Sequence, residues 1–364
     1  MSSRTSTTHA PTPDRPTLLL TGGSGVLGRA IIDEISADYN VVCLRHRTHV
    51  NDLRVSEIGG ELDSPALGLS VAAYERLADR VDVVLHAAAA TNWRAAPAQI
   101  RETNLGGTRA MLAFAERAEA PMMYVSTAFV ANPPPPDGAR FASASAYIGS
   151  KIEAEQLTRD SSVPTVILRP SVVIGDSRDG RMAAFQGLHR VAGLIARGRV
   201  PLIACDAESL TDTIPQDVVA GVIGELLRGH VTEGEFWLTA GESAMTAEDL
   251  LEIAVALGRR AGFDPHPPRF IPAEAVDRLL VPLLTDAISP ELRAMFAELL
   301  EMTWLFQVPA ALPTSKGELG FADGVSRARL RETFTKSMDY WGRVKKLLPA
   351  VVEEDDEQDL ELAS

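Results

Sequence analysis

A glycine-rich segment near the start of the chain constrains its fold more than any other feature. It follows the apolar run of residues 18–20 and opens a helical pattern, and its members are Thr21, Gly22, Gly23, Ser24, Gly25, Val26, Leu27 and Gly28. Glycines with this spacing allow a tight turn, a close approach to a pyrophosphate, and close packing of the helix on the strand. The N–H groups of the first helical turn would face the phosphates. This placement predicts a dinucleotide-binding loop.

Short apolar runs alternate with helical patterns over most of the chain that follows. The predicted strands are residues 17–20, 40–44, 81–86, 122–126, 165–169 and 235–239. The predicted helices between them are residues 26–36 and 99–118, and residues 213–228 are expected to return to the core. Parallel strands need crossover connections of this length, which are usually helices. The pattern predicts an α/β fold with a doubly wound parallel sheet of the Rossmann type.

The alternation stops near residue 181, where a different organisation begins. Residues 185–199 predict an amphipathic helix, and residues 246–348 are mostly helical with proline breaks. We expect a smaller, mostly helical substrate-binding lid. The predicted parts are a disordered tail (1–15), the nucleotide-binding Rossmann domain (16–184 plus 211–240), the lid (185–210 plus 241–349) and an acidic disordered tail (350–364).

The charges of the chain exclude one class of partner. Its 364 residues carry 49 acidic and 35 basic side chains, for a net charge of −14. Seven acids lie in the last fourteen residues, which hold no base: Glu353, Glu354, Asp355, Asp356, Glu357, Asp359 and Glu361. The rest of the chain lacks Lys/Arg runs, so we expect no nucleic-acid partner.

Other compositional features point to a chain without metal or membrane. The two cysteines are too few for a disulfide scaffold or a zinc site, and the seven histidines are scattered. The first residues have no hydrophobic signal region, and no stretch contains eighteen uncharged apolar residues. The sequence predicts no metal, no membrane span and a cytoplasmic location.

The end of the second predicted strand distinguishes between the two nicotinamide cofactors. An acid there bonds a ribose 2′-hydroxyl and favours NAD, whereas arginine accommodates a 2′-phosphate. Residues 40–44 run into Arg45, His46 and Arg47, and the first acid is Asp52. The pattern predicts NADP, with Arg45 and Arg47 as candidate phosphate ligands. The alternative is that these arginines only solvate the strand end.

Three hydroxyl and amine side chains are candidate catalytic residues. Tyr147 and Lys151 are four residues apart, on one face of a predicted helix. A lysine beside a phenol lowers the pKa of the phenol, which favours proton donation near neutral pH. Thr127 follows the strand of residues 122–126, where its hydroxyl could hold a substrate oxygen beside Tyr147. Alternatively, that hydroxyl only satisfies nearby backbone groups.

Together these residues resemble the extended short-chain dehydrogenase/reductase family over residues 15–240. The family's TGxxGxxG loop, strand-end Ser/Thr and YxxxK pair stand here as residues 21–28, Thr127, and Tyr147 with Lys151. Residues 60–69, GELDSPALGL, are similar to the GDLxxPxLGL segment of thioester reductases. These are the terminal reductase domains of peptide and polyketide synthetases and of carboxylic acid reductases.

Two further segments support the same branch. Residues 86–93 followed by residues 104–108 are similar to the branch's HAAAxVNW…NVxGT, and residues 169–177 match the RPSxVxGDS run that the branch shares with fatty acyl reductases. The resemblance implies further cofactor-binding residues, namely Glu61, Leu62, Ala87, Ala88, Ala89, Asn104, Lys151, Pro170, Ser171 and Val173. Glu61 replaces an aspartate that contacts adenine in the family. The branch has a single arginine one position after Arg45, where this chain has His46.

The resemblance implies NADPH-dependent reduction of an acyl thioester, bound to a carrier protein or to CoA, to an aldehyde or further to an alcohol. Arg190, Arg197 and Arg199 are candidate docking charges for an acidic carrier protein, or else a solvated helix face. One alternative is an extended reductase, epimerase or dehydratase that acts on a nucleotide sugar or a hydroxysteroid-like alcohol. A binding protein that senses a dinucleotide without catalysis is the other alternative.

Overall fold

The computed structural model describes residue 12 and residues 14–91, 96–132, 142–272 and 310–349. The strands of its central sheet are β1 (Thr17–Thr21), β2 (Asn40–Arg45), β3 (Ser56–Gly59), β4 (Val83–His86), β5 (Met122–Val125), β6 (Thr165–Pro170) and, last along the chain, β11 (Gly234–Leu238). Among the described residues they form one seven-stranded sheet in the order β3-β2-β1-β4-β5-β6-β11. Every pairing in it is parallel, which confirms the predicted doubly wound sheet.

Helices cover both faces of this sheet. They are α1 (Val26–Ile35), α2 (Val71–Ala78), α3 (Pro97–Arg101), α4 (Gly107–Ala118), α5 (Ala142–Arg159), α6 (Gly187–Ala196), α7 (Gln216–Arg228), α8 (Ala247–Arg260) and α9 (Arg327–Val344). In β1, Leu18 and Leu20 join the apolar cluster under α1 and α7, whereas Leu19 joins the cluster under α2 and α4. The strand is apolar throughout because both of its faces are buried.

Short strand pairs beside the main sheet were not predicted from the sequence. They are β7 (Val172–Ile174) with β10 (Thr213–Pro215), β9 (Leu210–Thr211) with β12 (Met245–Thr246), and β8 (Leu202–Ile203) with β13 (Arg269–Phe270). Strand β3 also went unpredicted, because Ile58 is its sole apolar side chain. The helix predicted over residues 99–118 is divided into α3, a π-helical turn (Glu102–Gly106) and α4.

Helices α6, α8 and α9 pack side by side with the same direction. The His189 ring in α6 bonds the Ser337 hydroxyl in α9 at 2.8 Å. Further along both helices, a Cβ on Gly193 would lie 2.4 Å from the ring of Trp341. A Cβ on Gly258 in α8 would likewise lie 2.2 Å from the Ala196 carbonyl oxygen. The carboxyl ends of the three helices therefore lie together.

The two tails predicted to be disordered fall partly inside and partly outside the described residues. Asn40 at the start of β2 bonds the backbone of Thr12 at 2.9 Å and the carbonyl oxygen of Arg15 at 2.7 Å. Ordered contacts therefore begin inside the segment predicted to be a disordered tail. Residues 1–11 and 350–364, which carry the rest of the two predicted tails, lie outside the described residues, as do residues 273–309 of the predicted lid.

Within the described ranges, none of the helices is long and apolar enough to span a bilayer.

Candidate active site

The glycine-rich loop lies at the carboxyl end of β1, beside the loop that follows β4. Gly22 has a φ of +80°, and a Cβ there would lie 2.8 Å from the Ala88 nitrogen. A Cβ on Gly28 would lie 2.1 Å from the Gly22 carbonyl oxygen. The N-cap of α1 is Gly25, which supplies no capping side chain. The loop thus brings bare backbone, and the N–H groups of the first helical turn, to one place.

Thr21 and His86 connect this loop to the next strand. The two residues are register partners in β1 and β4, and the Thr21 hydroxyl lies 2.7 Å from His86 Nδ1. The same hydroxyl accepts the Ala88 N–H at 3.2 Å. Burial, followed by the charge of Lys151, lowers the pKa of His86 to about 3, so this imidazole is neutral at physiological pH. The pair fixes the loop of Ala87, Ala88 and Ala89 against the glycine segment.

Lys151, on α5, is buried at the carboxyl end of β5. Its ammonium donates a hydrogen bond to the Val125 carbonyl oxygen at 2.8 Å and lies 4.8 Å from the centre of the Tyr124 ring. The side chain is 2% exposed. Burial lowers the pKa of Lys151 to about 7, although the nearby carboxylate of Glu155 acts in the opposite direction. Lys151 can therefore change its charge near neutral pH.

Tyr147 and Thr127 meet at the carboxyl end of β5. The Thr127 oxygen accepts the Phe129 N–H at 3.3 Å, which leaves its own proton to donate. A hydrogen bond between Thr127 and the phenol lowers the pKa of Tyr147, but burial is the larger effect and raises it to about 12. The expectation of a lowered pKa for this phenol is therefore wrong. The Thr127 hydroxyl thus meets a backbone group and the phenol, and its contact with a substrate oxygen stays a prediction.

The π-helical turn places Asn104 between the loop that follows β4 and helix α5. Its Oδ1 accepts the Ala90 N–H at 2.7 Å, and its Nδ2 donates to the Ser150 hydroxyl at 2.9 Å. Ser150 in turn donates to the Tyr147 carbonyl oxygen at 2.7 Å. The Asn104 amide is thus engaged within the protein, and it fixes the helix that carries Tyr147. Such turns are frequent at functional sites.

A buried ion-pair network lies behind Lys151. Glu155, one helical turn further along α5, accepts from Arg169 Nε at 2.9 Å and from Arg169 Nη2 at 2.7 Å. Ser126 donates to the same carboxylate at 2.6 Å. Arg169 also pairs with Glu235 at 2.5 Å and stacks 4.6 Å from the centre of the Trp237 ring. The network joins α5 to β5, β6 and β11 directly under the catalytic candidates.

The predicted phosphate ligands at the end of β2 have different surroundings. Arg45 Nε lies 3.1 Å from the buried carboxylate of Glu57, which also accepts the Val50 N–H at 2.8 Å. Arg47 is exposed, and within the described ranges it has no ion pair. Glu57 therefore fixes one edge of Arg45, while the cation of Arg47 remains available to a ligand.

The segment of residues 60–69 forms a tight loop between β3 and α2. Ala66, Leu67 and Gly68 have φ values of +51°, +58° and +70°, an unusual left-handed run. Burial of Leu67, which is 1% exposed, stabilises the turn. The Ser64 hydroxyl donates to Glu61 at 3.2 Å, and Leu62 contacts the Gly107 position at the start of α4. The loop therefore places Leu62 against the start of α4.

The remaining predicted residues lie at two places. Pro170 ends β6, Ser171 bonds the Leu238 carbonyl oxygen through its N–H at 3.0 Å, and Val173 pairs in β7. Of the candidate docking charges, Arg190 and Arg199 are exposed. Arg197 instead stacks 5.0 Å from the Trp341 ring centre and donates to a backbone carbonyl at 3.0 Å, so it contributes to packing.

Comparison with known proteins supplies the family. The family model described as "Male sterility protein", an NAD-binding family, matches residues 43–223. A hybrid PKS-NRPS synthetase of Talaromyces variabilis, pvhA, is 26% identical over 250 residues, 64% of this chain and 6% of the synthetase. The terminal R domain of the myxalamid PKS-NRPS pathway superposes with a TM-score of 0.68 at 25% identity, covering 91% of this chain and 93% of that domain. The chain belongs to the extended short-chain dehydrogenase/reductases, in the thioester reductase branch.

The fold of this chain is also shared with sugar-modifying enzymes. A UDP-N-acetylglucosamine 4-epimerase of Methanobrevibacter ruminantium, in complex with UDP-N-acetylmuramic acid, has a TM-score of 0.61 at 16% identity, covering 90% of this chain and 98% of the epimerase. At that identity the likeness shows the common fold alone. Because the chain spans only 6% of the synthetase above, the synthetase's other activities are not transferred to it.

Several residues of the candidate site were missed in the sequence. Glu155 could have been found, because it continues the spacing of four from Tyr147 through Lys151 along one helix face. His86 ends a predicted strand, but the sequence gives no sign of its bond to Thr21. Glu57 lies on the unpredicted strand β3, so its pairing with Arg45 could not be expected.

Proposed function

We propose that this chain is an NADPH-dependent reductase of acyl thioesters, which it converts to aldehydes. The observation that carries the proposal is the meeting of Thr127, Tyr147 and Lys151 at the edge of the sheet that holds the glycine loop. The membership of the thioester reductase branch favours a thioester over other carbonyl substrates. The acyl group would arrive on a carrier protein or on CoA.

The residues at the edge of the sheet fit a dinucleotide. Gly22 and Gly28 have no space for a side chain, and α1 begins without a side-chain cap, so the backbone would hold the pyrophosphate. Residues 61–62 and 87–89 would flank the adenosine half, and Pro170, Ser171 and Val173 the nicotinamide half. When bound, the reduced cofactor supplies a hydride.

The hydroxyls of Thr127 and Tyr147 would hold the thioester carbonyl oxygen. With a pKa raised to about 12, Tyr147 is protonated at neutral pH and can donate its proton to the oxyanion that forms at this oxygen. The resulting hemithioacetal loses the thiol with its proton and leaves an aldehyde. A second reduction cycle would give the alcohol.

Lys151 would control the charge next to Tyr147. In its protonated form, the ammonium stabilises the negative charge that Tyr147 acquires when it gives up its proton. Glu155 favours that form, since its carboxylate raises the pKa of Lys151. Asn104 and Ser150 would keep the phenol in position through the backbone of α5. Residues 185–210 and 241–349 would form the substrate-binding lid.

The choice of NADPH rests on the basic end of β2. Arg47 has no ion pair within the described residues and would meet the 2′-phosphate directly. Arg45 would offer its remaining guanidinium edge, because only Nε faces Glu57. Bidentate arginine contacts to phosphate are stronger than neutral hydrogen bonds.

A substrate panel tests the proposal. The chain is mixed with NADPH or NADH and with an acyl-CoA, an acyl-pantetheine or a UDP-sugar, and cofactor oxidation and trapped aldehyde are both measured. We expect thioester-dependent oxidation of NADPH with one aldehyde per thiol released, and none with Tyr147→Phe. Turnover of the UDP-sugar without reduction of either thioester would instead support the epimerase-like alternative.

A further inference from the structure

The shared carboxyl end of α6, α8 and α9 is a basic surface. One of its exposed cations lies in the last turn of α8 and the others in the segments that follow the three helices: Arg259, and Arg199, Arg269, Lys345 and Lys346. They are held close together, because Gly258 in α8 abuts Ala196 and Gly342 in α9 abuts Leu257. Arg269 joins them through the hydrogen bond from its N–H to the Pro201 carbonyl oxygen, at 3.1 Å.

The cations of this basic surface differ from other surface arginines in their partners. In the described part of the chain, none of the five forms an ion pair, whereas the neighbouring Arg260 is paired with Asp339 at 2.5 Å. Arginines elsewhere on the surface, such as Arg117 and Arg228, each pair with two or more carboxylates. Cations at helix carboxyl ends are favoured by the helix dipoles. The dipoles do not account for Arg269, which lies in a strand.

The chain leaves this surface just before its most acidic segment. After α9, Lys346 has a φ of +57°, and the Leu347 N–H returns to the Gly342 carbonyl oxygen at 2.8 Å. The described chain therefore ends, at Pro349, among the same helix ends. Glu353 follows four residues later and begins the run of seven carboxylates. At about 3.3 Å per residue, four residues reach roughly 13 Å.

We propose that the basic surface is the docking site of the chain's own acidic segment, residues 353–361. The two have opposite charge, since the segment carries seven carboxylates and the surface carries five cations that form no ion pair within the described residues. A short covalent connection gives the segment an effective concentration on the order of millimolar, so even a weak contact is occupied. Docked in this way, the segment excludes other acidic partners from the surface.

A labelled peptide of residues 350–364 tests this docking by fluorescence anisotropy. It is titrated into the wild-type chain and into a neutral-tail variant of the full chain in which all seven carboxylates become amides (E353Q, E354Q, D355N, D356N, E357Q, D359N, E361Q). We expect the neutral-tail variant to bind the peptide at least about tenfold more tightly, because its own tail no longer competes. Binding should be lost at about 1 M salt, where the Debye length is about 3 Å.

Two triple variants of the neutral-tail chain separate docking from net charge. The test variant carries Arg259→Gln, Lys345→Gln and Lys346→Gln. The control variant carries Arg76→Gln, Arg80→Gln and Arg109→Gln, which replace three exposed cations on the α2 and α4 side of the sheet. Both lower the net charge equally, but only the first should abolish binding. Equal effects of the two, equal binding by wild type and neutral-tail chain, or no binding to either would overturn the proposal. If the weaker peptide binding by the wild-type chain disappears when the protein is diluted, the tail docks on a second copy, and this result would overturn the proposal as well.

Discussion

Glu155 lies four residues beyond Lys151 on α5, and its carboxylate is held by both Nε and Nη2 of Arg169 at 2.9 and 2.7 Å. The lysine and the carboxylate thus belong to one continuous arrangement, in which Glu155 is buried. Its charge acts on Lys151 through space and raises the lysine's pKa against the larger effect of burial. Glu155 is therefore a positioning and charge-tuning residue.

Removing the carboxylate should change both stability and pH dependence. We expect Glu155→Gln to reduce the free energy of unfolding by about 3 to 5 kcal/mol, because Arg169 loses its most buried partner. The pKa of Lys151 should fall further, so the alkaline limb of the kcat profile should move to lower pH. Urea denaturation and initial rates between pH 6 and pH 9 measure the two effects. Glu235→Gln is the matched control, since its 41% exposed side chain does not affect the pKa of Lys151; an identical pH shift in both variants would refute the assignment.

Lys151 should make folding depend on pH in a defined direction. The unfolded chain keeps this proton up to about pH 10.5, whereas the folded chain releases it near pH 7. Between these pH values the unfolded state binds one proton more than the folded state, so this residue makes the free energy of unfolding rise with pH. Below pH 7 the folded chain must bury the charged ammonium, and the full destabilisation by Lys151 is present. Lys151→Met should therefore be more stable than wild type at pH 6, on the order of 3 to 5 kcal/mol. Denaturation at pH 6, 8 and 10 should show this difference shrinking; a constant difference would contradict the buried, shifted amine.

Tyr147→Phe should separate catalysis from binding. The phenyl ring preserves the packing, while the proton donor is lost, so kcat should fall by roughly 10² to 10⁴ with cofactor affinity unchanged. Stopped-flow turnover and a fluorescence titration with NADPH give the two quantities. If more than about a third of kcat remains, another group donates the proton.

The two arginines at the end of β2 should differ in their effects. Arg47→Ala should raise the KM for NADPH and leave the KM for NADH unchanged, because only NADPH carries the 2′-phosphate. Arg45→Ala should weaken NADPH and also lower the melting temperature, since the buried Glu57 loses its cation. Steady-state kinetics with both cofactors and a thermal melt check this pattern. Equal weakening of NADPH and NADH by Arg47→Ala would show that the phosphate is bound elsewhere.

The docking charges on α6 and its end should matter only for a carrier-bound substrate. In the neutral-tail variant, whose tail no longer competes for Arg199, we expect Arg190→Glu with Arg199→Glu to raise the KM for a carrier-bound acyl thioester in a salt-sensitive way, since exposed charges act mainly on encounter. The KM for the matching pantetheine thioester should stay the same. Arg197→Glu belongs in a separate measurement of stability, because that guanidinium packs on Trp341. Equal losses for both thioesters would mean that the arginines serve folding or the active site.

The sequence predicts the parts of the site that are local in the chain. The glycine loop and the pair Tyr147 and Lys151 depend on spacings within a single turn or helix, so their arrangement follows from periodicity. The contacts of Arg45 and Arg169 depend on partners 12 and 14 residues away, on other elements. Neither partner can be chosen without the strand order.

The pKa of Tyr147 shows the same limit. Proximity of a lysine in the sequence indicates a lowered value, but the burial of both side chains dominates and reverses the direction. Burial is a property of the whole assembled core. The parallel packing of α6, α8 and α9 likewise depends on close contacts at Gly193 and Gly258, which the helical pattern of each segment does not contain.

The π-helical turn of residues 102–106 makes the spacing of this stretch intolerant of deletions. An α-helix advances about 100° per residue, so removing one residue from the turn would restore regular helix and rotate α4 by about that angle relative to α3. The side chains of Met111 and Phe114, now fully buried under the sheet, would then face solvent. Asn104 would at the same time leave Ala90 and Ser150. Homologous chains in which α4 packs on the sheet and the Asn104 amide is kept must therefore vary in length elsewhere. Gaps in an alignment of such chains should not fall in this turn.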